Sequence, residues 1–320
     1  MPSLKDRLTD AGYGLGWTLI CRVPESWAEW AFRFFADIAW RRQGDRVSVL
    51  EGNLRRVIGP QASGAELRAL SRAGMRSYAR YWLELFRLPT MPAERILSGM
   101  RCSGHVAEAL ALPAQGRGVV FALPHMGNYD QAGAWLVAQG AGSFTTVAER
   151  VQPDSLYQRF VAFREGLGME VLPASGGNSR FGTLAQRLRA GKFVCLPADR
   201  DVTGGGIEVD FFGEKARMMG GSAALAVQTG AALYPAVMWF EGDGWGLHVD
   251  AEVPVPAEGD RRHKTAVMTQ QLAYAFEAAI RQHPQDWHML QRVFTSDLDP
   301  VRLAAAVERA DAAGPERETL

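Results

Sequence analysis

From residue 119 onward the chain alternates between two kinds of segment, and this limits the fold more than any other feature. Short apolar runs at Val119–Leu123, Phe144–Ala148, Glu170–Leu172, Phe193–Leu196, Leu233–Phe240 and Leu247–Ala251 are bounded by Gly, Pro and Asp. Helix-length stretches separate many of them: Asp130–Ala138, Ser155–Leu167, Phe181–Ala190 and Gly221–Thr229. Such runs read as strands buried on both faces, and an intervening helix is the crossover that parallel pairing needs. The expected class is α/β: a central mixed sheet flanked by helices on both faces, with a helical N-terminal extension. Ala266–Arg281 reads as a closing helix with Pro284 just beyond it, and Pro300–Ala313 as a short Ala-rich one. No repeat, linker or long charge run divides the chain. Residues 43–313 are therefore expected as a single domain, between an amphipathic membrane-associating segment at 1–42 and a flexible tail at 314–320.

The N-terminal part points to a membrane surface. The uncharged run Ala11–Cys21 is about half the roughly 20 residues that a span needs, and Arg22 ends it. In Ser26–Arg42, Trp27, Trp30, Ala31, Phe34, Phe35, Ile38 and Ala39 recur at helical spacing, edged by Arg33, Arg41 and Arg42. That stripe either packs on the protein's own core or lies among lipid headgroups. Between Arg41 and Arg101 there are twelve Arg and no Lys against five carboxylates. Arg68, Arg72, Arg76 and Arg80 form a ridge at four-residue steps, which suits either lipid phosphates or neighbouring carboxylates. Together the stripe and the ridge argue for a peripheral membrane protein.

Thirty-five Lys+Arg against 35 Asp+Glu leave a formal net charge of zero, which argues against a nucleic-acid partner. Cys21, Cys102 and Cys195 lie far apart, with neither a disulfide framework nor a CxxC metal pair. GxSxG, HExxH, GxxxxGK[ST] and GxGxxG are all missing, so serine hydrolysis, zinc hydrolysis, P-loop phosphoryl transfer and dinucleotide binding lose ground. What remains is Pro124-His125-Met126-Gly127-Asn128-Tyr129-Asp130, directly after a strand and before an apolar helix. Ligands of open α/β sheets bind at such strand ends. Asp130 is expected to fold back onto His125, hold one ring nitrogen as N–H and leave the other as a general base. Gly127 would let the backbone approach a ligand, and the amides of the new helix could face an oxyanion. A loop histidine beside a helix-capping Asp reads the same way, so the spacing alone decides nothing.

Other blocks add to it. With the H-x4-D loop, the chain resembles the bacterial lipid A and lysophospholipid acyltransferase superfamily through Glu51-Gly52-Asn53-Leu54-Arg55-Arg56-Val57, Asp210-Phe211-Phe212-Gly213-Glu214, Gly220–Ala226 with Thr229-Gly230-Ala231 and Tyr234-Pro235, and His283-Pro284-Gln285-Asp286-Trp287. Asp rather than Glu at 130, Ala148-Glu149-Arg150, Phe163-Arg164 and Ala198-Asp199-Arg200-Asp201 look most like the actinobacterial branch that acylates phosphatidylinositol mannosides. The resemblance implies transfer of a fatty acyl chain, palmitoyl by expectation, from acyl-CoA to a mannose hydroxyl, with His125 as base and Asp130 orienting it. Glu149, Arg164, Asp199 and Arg200 would line the acceptor side. It implies no metal and no cofactor besides the acyl-CoA co-substrate. The partners would be a glycophospholipid acceptor and the cytoplasmic face of the plasma membrane, where the protein would sit peripherally. A lipid A-type enzyme using acyl carrier protein and a non-catalytic lipid-binding protein on the same fold stay open at this point.

Overall fold

The computed structural model describes residues 17, 19–148, 154–173, 177–201 and 205–300. The expected Pro300–Ala313 helix and the tail fall almost wholly outside them. Among the elements with described bounds, helices α1 (Glu25–Arg41), α2 (Asp45–Ile58) and α3 (Gly64–Arg87) precede the sheet, the last opened by a Ser63/Glu66 capping box. Then follow α4 (Ala93–Ser98), β1 (Met100–Gly104), α5 (Val106–Ala111), β2 (Val119–Leu123), α6 (Tyr129–Leu136), β3 (Thr145–Ala148), α7 (Asp154–Gly166), β4 (Glu170–Pro173), α8 (Gly177–Arg189) and β5 (Phe193–Pro197). The β6 (Ile207–Phe211) and β7 (Glu214–Met218) hairpin precedes α9 (Gly221–Thr229), β8 (Ala232–Glu241), β9 (Gly244–Val249) and α10 (Arg261–Gln282).

Seven strands form one sheet in the order β1-β9-β8-β2-β5-β3-β4, with β6 and β7 as a separate pair. Neighbours are parallel except β8 with β9, so the sheet is mixed as expected. Alternation along β2 divides the core. Val120 and Ala122 pack with Leu184 and Leu188 of α8, Leu225 of α9 and Phe276 of α10. Val119, Phe121 and Leu123 face the opposite layer with Ile96, Trp135 and Trp245. Helices thus cover both faces, and the central strands are apolar throughout.

Two elements escaped the sequence reading. Only Met100 of β1 is buried, so this edge strand has no apolar run to reveal it. The hairpin alternates inward Val209 and Phe211 with outward Glu208 and Asp210, then turns through Phe212 and Gly213, both at positive φ. That is the mirror-image turn a two-residue hairpin favours. Phe212 is held there by its N–H donating to Glu277 Oε2 at 2.8 Å.

The N-terminal helices separate the two readings of the stripe and the ridge. Helix α1 packs on α3 through a face that includes Ala28, Ala36 and Asp37. It leaves Trp27, Trp30, Phe34 and Phe35 between 46% and 73% exposed, so the aromatic stripe is not spent on the protein's own core. The four ridge arginines are all engaged by three carboxylates. Arg72 and Arg76 both grip Asp37, Arg68 pairs with Glu51 and Arg80 with Glu84. The ridge therefore shows the carboxylate pairing that the sequence allowed. Among the described residues no helix is long and apolar enough to cross a membrane.

Candidate active site

The site is set by strand register. In the parallel pair of β2 and β5, Leu123 lies opposite Pro197, and Ala198 N–H donates to the Leu123 carbonyl at 2.8 Å. Two residues beyond each partner come His125 and Asp199, so the register carries them side by side at the carboxyl ends of adjacent central strands. His125 Nδ1 lies 2.5 Å from Asp199 Oδ1, and the His125 amide donates to Oδ2 at 2.8 Å. A carboxylate only accepts, so Nδ1 carries the proton and Nε2 presents its lone pair. The ring is 21% exposed, and Nε2 has no protein partner among the described residues.

Asp199 is wholly buried. Burial pushes its carboxyl up, but the His125 ring, the Trp287 indole and the His125 amide more than offset that, holding it below the ordinary value. The Trp287 Nε1–H donates to Oδ2 at 2.9 Å.

This differs from the expected pairing. Asp130 does not turn back onto His125. Its Oδ1 accepts from Arg164 Nε at 2.7 Å, and its Oδ2 accepts from Arg164 Nη2 at 3.1 Å and from the Tyr81 hydroxyl at 2.9 Å. In the first turn of α6 its side chain is aimed at α3 and α7, while Asp199 already holds the imidazole Nδ1. The Arg164 guanidinium is correspondingly engaged with Asp130. It lies largely inside the protein, its charge fixed by Asp130: burial lowers its pKa, but that carboxylate drives it well above the ordinary value. The Tyr129 hydroxyl lies 2.9 Å from that of Tyr81, and burial pushes Tyr129 up to about 12.

Arg200 sits beside Asp199 at the rim and donates to Gln291 Oε1. Glu149 lies outside the described residues. Gly127 has another reason to be glycine. Its φ is +58°, and a Cβ there would meet the Met238 carbonyl of β8 at 2.6 Å. Its amide is occupied by the Asp286 carbonyl at 2.9 Å, and the Gln131 amide by the Asn128 side chain at 3.0 Å. Neither can serve an oxyanion.

The remaining sequence blocks are scaffold around this pair. Asn53 of α2 donates to the carbonyls of Met289 and Gln291 at 2.8 and 2.9 Å, fixing the segment that carries Trp287. Arg56 ties Glu214 and Asp297 together. A half-buried imidazole on a buried carboxylate at strand ends, one ring nitrogen open, is the arrangement of a general base without a protein nucleophile.

Residues 7–296 match the model of the bacterial lipid A biosynthesis acyltransferase family. The chain belongs to this family. It is also similar to the phosphatidylinositol mannoside acyltransferase of Mycolicibacterium smegmatis, with 48% identity over 305 residues, 94% of this chain and 96% of that protein. The protein of the same description from Mycobacterium tuberculosis is 48% identical over 299 residues, 92% of each chain. The signal that would have found the partner of His125 is the paired strand endings, Leu123-Pro124-His125 and Leu196-Pro197-Ala198-Asp199, each closing a central strand.

Proposed function

We propose that the protein transfers a fatty acyl chain, palmitoyl by preference, from acyl-CoA to a mannose hydroxyl of a phosphatidylinositol mannoside. The observation that carries this is the register-placed His125–Asp199 pair with Nε2 open, in a chain whose relatives are described as acylating that lipid. His125 Nε2 takes the proton of the mannose hydroxyl as its oxygen attacks the thioester carbonyl. The tetrahedral adduct collapses, the C–S bond breaks, and the imidazolium returns the proton to the departing thiolate. Asp199 keeps the ring in the Nδ1–H tautomer and stabilises the imidazolium. Attack is direct, so no acyl-enzyme forms and no cysteine is required. The Cys195 thiol is buried in β5, and burial pushes its pKa up, which leaves it a poor nucleophile.

Arg200, next in the chain to Asp199, is the candidate contact for the acceptor's phosphodiester, and Glu149 for its hydroxyls. The outward Trp27, Trp30, Phe34 and Phe35 support peripheral attachment to the cytoplasmic leaflet, where acceptor and donor meet. Mass spectrometry of the lipid product tests the reading, with palmitoyl-CoA or palmitoyl-acyl carrier protein as donor and a mannosylated phosphatidylinositol as acceptor. A product one palmitoyl heavier is expected with the CoA donor. It should fall roughly 10²–10⁴-fold in rate with His125→Ala. Product formed only from the carrier protein, or undiminished in His125→Ala, overturns the reading.

A further inference from the structure

The segment Asp286–Trp287–His288 lies against the loop after β2 like an added strand. Met126 and Trp287 form an antiparallel bridge. The Asp286 carbonyl accepts from Gly127 N–H at 2.9 Å, and His288 N–H donates to the His125 carbonyl at 2.8 Å. Between these contacts the Trp287 side chain turns inward, with none of its surface exposed. Its ring is wedged against Phe211 and Phe212, with centroids 5.8 and 6.0 Å away.

The Asp199 carboxylate accepts three hydrogen bonds from described residues, and two of the three donors belong to His125. The ring cannot define where the carboxylate points, because it is the group to be aimed, and the amide ties Oδ2 only to the backbone of the loop after β2. Among the described residues, the indole Nε1–H of Trp287, at 2.9 Å from Oδ2, is the one donor to the Asp199 carboxylate from outside His125. It is suited to orienting that carboxylate. An indole has two rotatable side-chain bonds, both locked here by packing, and it donates without accepting. It therefore fits an ionised carboxylate and leaves both Asp199 oxygens as acceptors. The Phe211-Phe212-Gly213 turn and Asn53, which holds Met289, in turn fix Trp287.

We infer that Trp287 is a positioning residue for acyl transfer, acting through Asp199 to hold the His125 ring in its proton-accepting orientation. This rests on the base-and-orienter reading above. Donors to a charged group contribute about twice what neutral hydrogen bonds do, so losing this one corresponds to roughly a tenfold loss of kcat.

The experiment replaces Trp287 with Phe and, separately, with 3-benzothienylalanine, which keeps the fused-ring shape and exchanges N–H for sulfur. Turnover is measured per folded molecule alongside Asp199→Asn and the Asp199→Asn/Trp287→Phe double variant. The His125 Nδ1–H proton, far downfield in so short a bond, is followed by NMR. The expected result is a roughly tenfold fall in kcat with KM for donor and acceptor within about twofold. The Nδ1–H resonance should move, and the double variant should lose nothing beyond Asp199→Asn. If Phe at 287 proves unfolded, the isostere carries the same reading.

Wild-type kcat and an unmoved resonance in the isostere, while Asp199→Asn is crippled, overturn the role of Trp287 and leave the dyad standing. A rise in KM at constant kcat, or a full additional loss on top of Asp199→Asn, overturns it as well. Wild-type turnover in Asp199→Asn removes the dyad itself, and the positioning role with it.

Discussion

Asp130 and Asp199 lie on either side of the same loop, and substituting each by Asn separates their roles. Asp130 is 3% exposed, and its carboxylate faces the Arg164 guanidinium through two hydrogen bonds with a third from Tyr81. Asp130→Asn keeps the volume, so no cavity opens, but it removes the charge that compensates a largely buried cation and turns an amide N–H₂ toward it. Leaving one member of a buried pair uncompensated costs about 3–5 kcal/mol. For a chain of 320 residues each kcal/mol is worth about 1.5 °C in Tm, so a fall of roughly 4–8 °C is expected. Turnover per folded molecule should stay within about tenfold of the parent, because His125 keeps its own carboxylate. Asp199→Asn should show the reverse: a modest stability change and a loss of roughly 10²–10⁴ in kcat. Removing both charges in Asp130→Asn/Arg164→Met should recover most of the lost stability, since no uncompensated charge then remains. Calorimetry and product mass spectrometry on the same samples read both quantities. An Asp130→Asn protein with parental Tm and a kcat as low as that of Asp199→Asn would refute the assignment and return Asp130 to the dyad.

Two further outcomes follow from the surface and from the buried ring beside the site. Replacing exposed Trp27 and Trp30 by Ala should weaken co-sedimentation with anionic phospholipid vesicles by at least about tenfold, with detergent-solubilised acceptor turned over normally. Unchanged vesicle binding would remove α1 as the membrane face. His288 is buried, and burial with the nearby His125 pulls its pKa down to about 3, against about 6.5 in an unfolded chain. Between these values the unfolded state binds a proton that the folded state refuses, so stability falls as pH drops from about 6.5 toward 3. This one ring contributes a slope of about 1.4 kcal/mol per pH unit, and denaturant titrations of His288→Gln should show a shallower acid limb by that amount. A slope equal to the parent's would show that the ring is not held neutral.

The sheet was legible because its central strands are buried on both faces. Val119–Leu123 stands in the structure as it reads in the sequence, since five successive apolar residues between Gly118 and Pro124 leave no other boundary. Edge strands lack that signature. In β1, Arg101, Cys102, Ser103 and Gly104 are exposed, so only pairing with β9 makes the segment a strand. The β6–β7 hairpin did carry a signal, the alternation of Ile207, Val209 and Phe211, but it is a short period-2 pattern beside a Gly-rich stretch. The outward aromatic stripe of α1 was visible as a stripe. Its direction was not, because helical periodicity gives a face and not what covers it.

The site was half legible for a related reason. His125 follows from its place after a strand, but its partner was sought five residues away along the chain, where local spacing can be reasoned about. Asp199 is 74 residues away, and the offset between His125 and Asp199 equals the offset between Leu123 and Pro197 in the β2–β5 register. A one-dimensional reading finds strands without their lateral order, and in a parallel sheet the lateral order decides which strand ends meet. The H-x4-D spacing therefore joins two separate side-chain pairs through one turn. His125 looks sideways along the sheet to Asp199, while Asp130 looks outward to Arg164 and Tyr81 and ties the start of α6 to α3 and α7. The spacing still matters to the placement of His125 in this arrangement. The turn between the two residues must end β2, pass Gly127 against the β8 backbone and start α6 within five residues, so moving Asp130 by one position would rotate it off Arg164 and shift the loop that aims His125.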